Sequence, residues 1–313
     1  MILLLSHDRD EHAAVVVDAL ERRGADVVLF DTARFPQRIG LTVHCSSCAA
    51  WRASALVDER SRDLALTKVV WYRRPLPFEL DEQVRSSEDR VFAYGECHAA
   101  VTGLWSCLDA LWINDPVRDE VASRKMYQLN VASGVGLRIP RTCITNCPQE
   151  AAQFVAAEGK NGTIYKSFSA TERSWRETRL LRSGEETLLD QVRLAPVIFQ
   201  EHIPAVADLR VTVVGKKVFP AAIEIRQGDY QYDFRMAMEQ AVIRPHDLPR
   251  EVQERLLNLM SFLGILYGAI DLRLTPDGEY VFLEVNPAGQ WLFIEVMTGQ
   301  PITEALCDLM LQT

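Results

Sequence analysis

The chain has 313 residues, a formal net charge of −9 and an apolar fraction of 48%. That length points to two or three lobes rather than one core, and the ordinary apolar fraction is enough to fill sizeable cores. The acidic balance argues against nucleic acid as the main partner, a local basic groove apart, and no apolar run approaches a membrane span.

The N-terminus, MILLLSHDRDEH, lacks a basic n-region and turns acidic after Leu5, so it reads as a first strand and not as a signal peptide. The seven cysteines are odd in number and scattered, which fits reduced thiols in the cytoplasm. Cys45-x-x-Cys48, beside His44, is the one pair with metal-ligand spacing. No second CxxC completes a zinc set, so ordinary small buried thiols are the better reading.

Ile2–Ser6 predicts a buried strand, Glu11–Arg23 a helix stopped by Gly24, and Ala25–Phe30 a second strand. This β–α–β opening implies a parallel sheet, and no GxGxxG follows the first strand, so the dinucleotide fingerprint is absent. Residues 39–45 and 53–58 predict further strands, an antiparallel addition, and the chain shows no internal repeat and no low-complexity segment. Lys68–Tyr72 predicts a strand that delivers Arg73, Arg74 and Pro75 to its carboxyl end, where open α/β sheets bind ligands. Those arginines fit either a substrate-binding role or a solvated loop paired with nearby acids. A helical region spans about Asp81–Leu111, and Trp112–Pro116 closes this lobe.

Further on, Val117–Ser133 predicts one helix, Gln149–Glu158 another, and Thr163–Lys166 a short strand before the hydroxyl-rich stretch SFSATERSWR. Pro196–Gln200 predicts an apolar strand running into Glu201-His202-Ile203. Asp208–Val214 and Val218–Ile225 form a hairpin about Gly215-Lys216-Lys217. Pro249–Leu266 and Ile302–Leu311 predict helices.

The stretch GAIDLRLTPDGEYVFLEVNP, Gly268–Pro287, is a hairpin whose turn is Thr275-Pro276-Asp277-Gly278. In the simplest register Asp271 lies opposite Phe282 and shares a face with Glu284 and Asn286. Two carboxylates and an amide oxygen on one face suit magnesium rather than zinc. Solvated acids are the alternative, but Glu284 sits among large apolar residues, where an unpaired charge is costly.

Taken in order, Lys125 before Ile139-Pro140, Lys166 closing a short strand, Gln200-Glu201, Asp208-x-Arg210, Glu224 before Arg226, and Asp271 with Glu284-x-Asn286 resemble the ATP-grasp superfamily of carboxylate-activating ligases. The likeness runs from about 114 to 300. EVNPAGQWLF and VWYRRP resemble more narrowly the ATP-grasp ribosomal-peptide maturases, the macrocyclases of graspetides such as microviridins.

The resemblance implies an α/β architecture: an N-terminal pre-ATP-grasp domain (1–113), a small lid subdomain (114–200) and a C-terminal subdomain holding the Mg2+ and ATP site (201–313), with mixed and antiparallel sheets. It implies Lys125 and Lys166 on the ATP phosphates, with Ser167, Ser169 and Thr171 in the covering loop. Glu201 would accept from the adenine amino group, with the backbone of His202 and Ile203 on the ring edge and Asp208 on the ribose. Arg226 and Arg210 would neutralise an acyl phosphate, and Asp233 and Arg235 would contact phosphate or substrate. The implied substrate is a precursor peptide, with Arg73 and Arg74 receiving an acidic segment of it. Its Asp or Glu side chains would be joined to Ser, Thr or Lys. A homodimer is expected, without nucleic acid or membrane. A ligase of the same fold acting on a small molecule or a protein tail shares all the nucleotide residues. A catalytically dead binding module would not need all three metal ligands and both lysines.

Overall fold

The computed structural model describes residues 1–159, 162–168, 178–225 and 241–312. Its first unit is a parallel sheet of β1 (Ile2–Leu5), β2 (Val27–Phe30), β6 (Val69–Tyr72) and β7 (Leu111–Ile113), in the order β2-β1-β6-β7. The run Ile2–Leu5 is buried throughout because both faces are covered. On one face lies α1 (Glu11–Arg22), with Ala13, Val16 and Leu20 against Ile2 and Leu4. On the other, Leu3 and Leu5 meet α2 (Ser87–Ser106) and an antiparallel meander of β3 (Gly40–Ser46), β4 (Ala49–Val57) and β5 (Arg60–Asp63).

Helix α2 is shorter than the expected 81–111. Ser86 caps it by accepting from Asp89 N at 3.0 Å, and it ends before Cys107, freeing 111–113 to extend the sheet as β7. Cys45 and Cys48 flank the tip of the β3–β4 hairpin and are both exposed, which corrects the expectation of buried thiols for that pair.

The helix expected over 117–133 is two helices, α3 (Pro116–Ala122) and α4 (Lys125–Gly134). Arg124, extended at φ −76° and ψ 107°, breaks the run and makes Lys125 the first residue of α4. Leu129, Ala132 and Leu137 pack with Leu256, Leu259 and Phe282. Residues 116–137 therefore share a core with the C-terminal sheet. A different sheet is made of β8 (Thr142–Thr145), β9 (Thr163–Lys166), β10 (Arg179–Leu180) and β11 (Val197–Glu201), with α5 (Pro148–Glu158) against it.

The C-terminal sheet contains β12 (Ala207–Val214), β13 (Lys217–Ile225), β14 (Ala241–Pro245), β15 (Tyr267–Leu274) and β16 (Tyr280–Asn286), in the antiparallel order β14-β13-β12-β15-β16. Helix α6 (Arg250–Leu263) covers one face through Leu256, Leu259, Met260 and Leu263. Helices α7 (Leu292–Thr298) and α8 (Ile302–Leu311) return to α1, so Ile294, Ile302, Leu306 and Met310 share the core of Val16, Leu20 and Trp71.

The β15–β16 register differs from the simplest one. Asp271 lies opposite Glu284, and Leu272 opposite Phe282, so Leu283 is an extra residue without a cross-strand partner. This bulge turns Phe282 onto the core face beside Leu272 and Val285 and keeps Glu284 on the face of Asp271.

Candidate active site

Three strands bring one polar row together. Arg210 of β12 is opposite Asp271 of β15, which is opposite Glu284 of β16. The neighbouring row is Thr212, Ala269 and Asn286; the row on the other side starts with Asp208 and Arg273. Cross-strand partners project from the same face, so Asp271, Glu284 and Asn286 converge as their alternation predicts.

Each acid in this row already meets a cation. Arg210 Nη1 donates to Asp271 Oδ1 at 2.6 Å, and both side chains are 8% exposed. Lys125 Nζ donates to Glu284 Oε2 at 2.5 Å, from the first turn of α4. Asn286 Oδ1 accepts from Ala288 N at 3.0 Å and retains a second lone pair. Two carboxylates that are compensated by positive charge, plus an amide oxygen, form a hard donor set that fits Mg2+, with phosphates and water completing it. Among the described residues no group of three His, Cys, Asp or Glu side chains is arranged to hold a metal.

The loop after β16 is held from the first unit. Arg73 Nη1 donates to the carbonyls of Ala288 and Gly289, and Arg73 lies over the Trp291 ring at 5.1 Å. Arg74 Nη2 donates to Ala288 O at 3.3 Å, Tyr267 Oη to Gly289 O at 2.7 Å, and Arg210 Nη2 to Gln290 O at 3.3 Å. Gly289 is required by close approach, since a Cβ there would stand 2.3 Å from Ala269 Cβ. This corrects the reading of Arg73 as a receptor for an acidic peptide segment. Its side chain is 0% exposed and faces Asp10 Oδ2 at 3.4 Å, because β6 ends beneath the C-terminal loop rather than at a free edge.

Burial works to raise the Asp10 carboxyl, but His12, Arg73 and Ser6 outweigh it and hold it far below the usual range. Burial pushes the Arg73 guanidinium down and the Tyr267 phenol up to about 12. His12 Nε2 accepts from Trp291 N at 3.2 Å, which leaves the ring proton on Nδ1, facing Asp10. Asn114 ties the same region together: Oδ1 accepts from Tyr267 N at 2.9 Å, while Nδ2 donates to Tyr267 O at 2.9 Å and Pro287 O at 3.3 Å.

The sheet of β8 to β11 carries Lys166 and Ser167 at the end of β9, and Glu201 at the end of β11. Glu201 is not turned toward an open base site, as expected, but toward Arg141. Arg141 N donates to Oε1 at 3.1 Å and Arg141 Nε to Oε2 at 2.9 Å, because the end of β11 lies beside the start of β8. Arg141 also reaches the buried Glu158 at 2.6 Å. His202 N donates to Gly162 O at 3.1 Å. Arg273 joins the two halves of the segment, with Nη1 donating to Ile203 O at 2.7 Å and Nε to Asp208 Oδ1 at 2.8 Å. Ser169, Thr171, Arg226, Asp233 and Arg235 lie outside the described residues.

Sequence reasoning missed Arg141, Arg273, Asn114 and Gln128. Arg273 had a signal, since it shares the strand face of Asp271, and Gln128 lies one helical turn from Lys125.

Residues 1–120 match the family model of the MvdD pre-ATP grasp domain. The fold matches the crystal structure of macrocyclase MdnB from Microcystis aeruginosa MRC, with a TM-score of 0.79 and 30% identity over 100% of this chain and 99% of that one. The chain belongs to the ATP-grasp ribosomal-peptide maturases. Another member with this fold is a Chryseobacterium gregarium RiPP-associated ATP-grasp ligase in complex with ADP and a leader and core peptide. It has a TM-score of 0.90 and 25% identity, covering 99% of this chain and 96% of that one. A probable alpha-L-glutamate ligase of Enterobacter sp. (strain 638) is 27% identical over 195 residues, 61% of this chain. The match spans 64% of that relative's length. Among the described residues of this maturase-family chain, no helix is long and apolar enough to cross a membrane.

Proposed function

We propose that this chain uses ATP to activate side-chain carboxylates of a ribosomally made precursor peptide and joins them to Ser or Thr hydroxyls or Lys amines. A carboxylate oxygen bonds to the γ-phosphorus as the bond to ADP breaks, giving an acyl phosphate. The nucleophile then bonds to the acyl carbon, releases its proton, and phosphate departs, leaving an ester or an amide. The row Arg210–Asp271–Glu284, with Lys125 against Glu284, carries this reading.

Lys125 and Lys166 are compact cations for the phosphates. Mg2+ on Asp271, Glu284 and Asn286 would supply charge neutralisation there. Arg210 keeps Nε without a hydrogen-bond partner among the described residues, a donor suited to the acyl phosphate and the following oxyanion. The backbone at 201–203 meets the base, Asp208 the ribose and Ser167 the phosphate loop. Of the two arginines, we propose Arg74, half-buried beside Ala288, as the one that meets peptide. Arg226, Arg210's expected partner, and Asp233 and Arg235 keep their proposed contacts with phosphate or substrate. We assign residues 1–113 to the pre-ATP-grasp domain, 114–200 to the lid side, with its first stretch, 116–137, packed on the core of the metal side, and 201–313 to the metal side. We place the reaction in the cytoplasm, in a homodimer whose mass light scattering measures.

The test mixes enzyme, Mg2+, ATP and a precursor peptide with Ser or Thr and Asp or Glu near its C-terminus. Each link removes one water, about 18 Da of intact mass. The likeness to the glutamate ligase favours a second reading, ligation of a free amino acid. Phosphate release with free glutamate, and no mass loss from any such peptide, would establish that one instead.

A further inference from the structure

β16 is the edge strand of its sheet, yet its outer side is not left to water. Phe282 N donates to Arg138 O at 2.8 Å. Beyond the bulge at Leu283, the next outward-facing peptide groups are those of Val285, and among the described residues no strand reaches them. A side chain does. Gln128 Oε1 accepts from Val285 N at 3.0 Å, and Gln128 Nε2 donates to Val285 O at 2.8 Å.

A primary amide presents the same donor and acceptor as a peptide unit, so Gln128 stands in for one residue of a neighbouring strand. Its second N–H donates to Ala122 O, the last residue of α3, at 2.6 Å. The orientation of the amide is fixed by chemistry, since a flipped group would face two carbonyl oxygens with its own. Gln128 is 3% exposed, so water does not replace these bonds when they are lost.

Val285 lies between Glu284 and Asn286. Its two outward groups are held by Gln128, and Glu284 itself is held by Lys125, one turn earlier on α4. The break at Arg124 therefore aims one short helix at two consecutive residues of the strand, Glu284 and Val285.

We infer that Gln128 is a positioning residue for the metal-binding strand: its amide fixes the backbone between Glu284 and Asn286 and so sets their affinity for a divalent cation. This rests on the reading of those two residues as Mg2+ ligands. Partners that orient ligands from behind typically change metal affinity 10- to 100-fold when removed.

The test is Mn2+ binding, followed by electron paramagnetic resonance on the full chain with ADP present, for wild type, Gln128→Met, Gln128→Glu and Glu284→Gln. Methionine keeps the volume and loses every hydrogen bond. Glutamate keeps the acceptor for Val285 N and loses both donors, and it serves if the methionine variant does not fold. Hydrogen exchange at residues 283–286 is followed in parallel. We expect Mn2+ affinity to fall about tenfold in a folded Gln128 variant, with faster exchange at Val285 and with ADP affinity in the absence of metal within about twofold of wild type. Unchanged Mn2+ affinity in a folded Gln128 variant, alongside a loss in Glu284→Gln, overturns the role of Gln128 and leaves the metal site standing. Equal weakening of Mn2+ and metal-free ADP marks a general loss of structure and also overturns it. Unchanged affinity in Glu284→Gln removes the metal reading, and this inference with it.

Discussion

Lys125 Nζ and Glu284 Oε2 are 2.5 Å apart, which joins a residue expected on the ATP phosphates to one expected on Mg2+. The ammonium and a cation cannot both sit against the same carboxylate oxygen at full strength, since like charges at that range repel. On the proposed reading, nucleotide binding with metal would therefore exchange partners, Glu284 turning to metal and Lys125 to phosphate. Lys125→Met is expected to bind Mn2+ alone several-fold more tightly than wild type while binding ATP more weakly. Paramagnetic titration and calorimetry measure the two, and weakening of both would show that Lys125 merely supports Glu284.

Arg141 and Glu201 act as one unit, because both carboxylate oxygens of Glu201 face Arg141. Glu201→Ala, Arg141→Met and the double variant should weaken ATP binding alike, with the double variant within about twofold of either single one. Adenine-over-guanine preference should stay close to wild type if, as proposed, the backbone at 201–203 rather than the Arg141-bound Glu201 carboxylate meets the base. Calorimetry with both nucleotides checks this, and a lost preference would return the Glu201 carboxylate to the base.

Arg73 and Asp10 are both buried, so removing one partner strands the other. Arg73→Met is expected to cost about 3–5 kcal/mol of stability, and adding Asp10→Asn should recover part of it. Denaturant melts measure both. An Arg73 variant of wild-type stability that loses only peptide binding would restore the surface role first expected for it.

Asp119 gives stability a pH dependence. Burial raises its carboxyl from 3.8 to about 6, against a weaker opposing hydrogen bond from Asn114 and the charge of Arg73. The folded state then holds a proton that the unfolded state has released. Its contribution is full below pH 3.8 and is lost as pH rises through about 6. Relative to Asp119→Asn, the wild type should lose at most about 3 kcal/mol between pH 4 and pH 7. Asp10 is shifted the other way and acts below this window. Parallel thermal melts of the two proteins test it, and a constant difference across the window would place Asp119 in water.

Gly289 leaves no room for a Cβ. Gly289→Ala should destabilise the chain by about 1–3 kcal/mol, and Ala269→Gly in the same chain should relieve it, because the clash is between those two Cβ positions. Melts of the single and double variants decide; no relief would mean that the loop, not the contact, is at fault.

The alternation around Asp271, Glu284 and Asn286, the turn at Pro276-Asp277-Gly278 and the helical period of 302–311 were all readable from the chain, because each is a local pattern of side chains and backbone preference. The shared face of Asp271, Glu284 and Asn286 followed from period two alone. Their register did not: whether Asp271 meets Phe282 or Glu284 depends on one extra residue, Leu283, and the buried Phe282 and the outer-edge contact from Arg138 decide it. Local pattern also made 117–133 one helix, whereas packing on α6 and β16 broke it at Arg124 and gave Lys125 and Gln128 their target. For Arg73 and Glu201 the sequence showed a charge near a strand end, which fits solvent, ligand or ion pair equally well. Which of these each one meets is set by elements far away in the chain, Asp10 and the 288–291 loop for one and Arg141 for the other. A charge's partner is a property of the assembled core, where desolvation makes pairing obligatory, and no spacing within a strand encodes it.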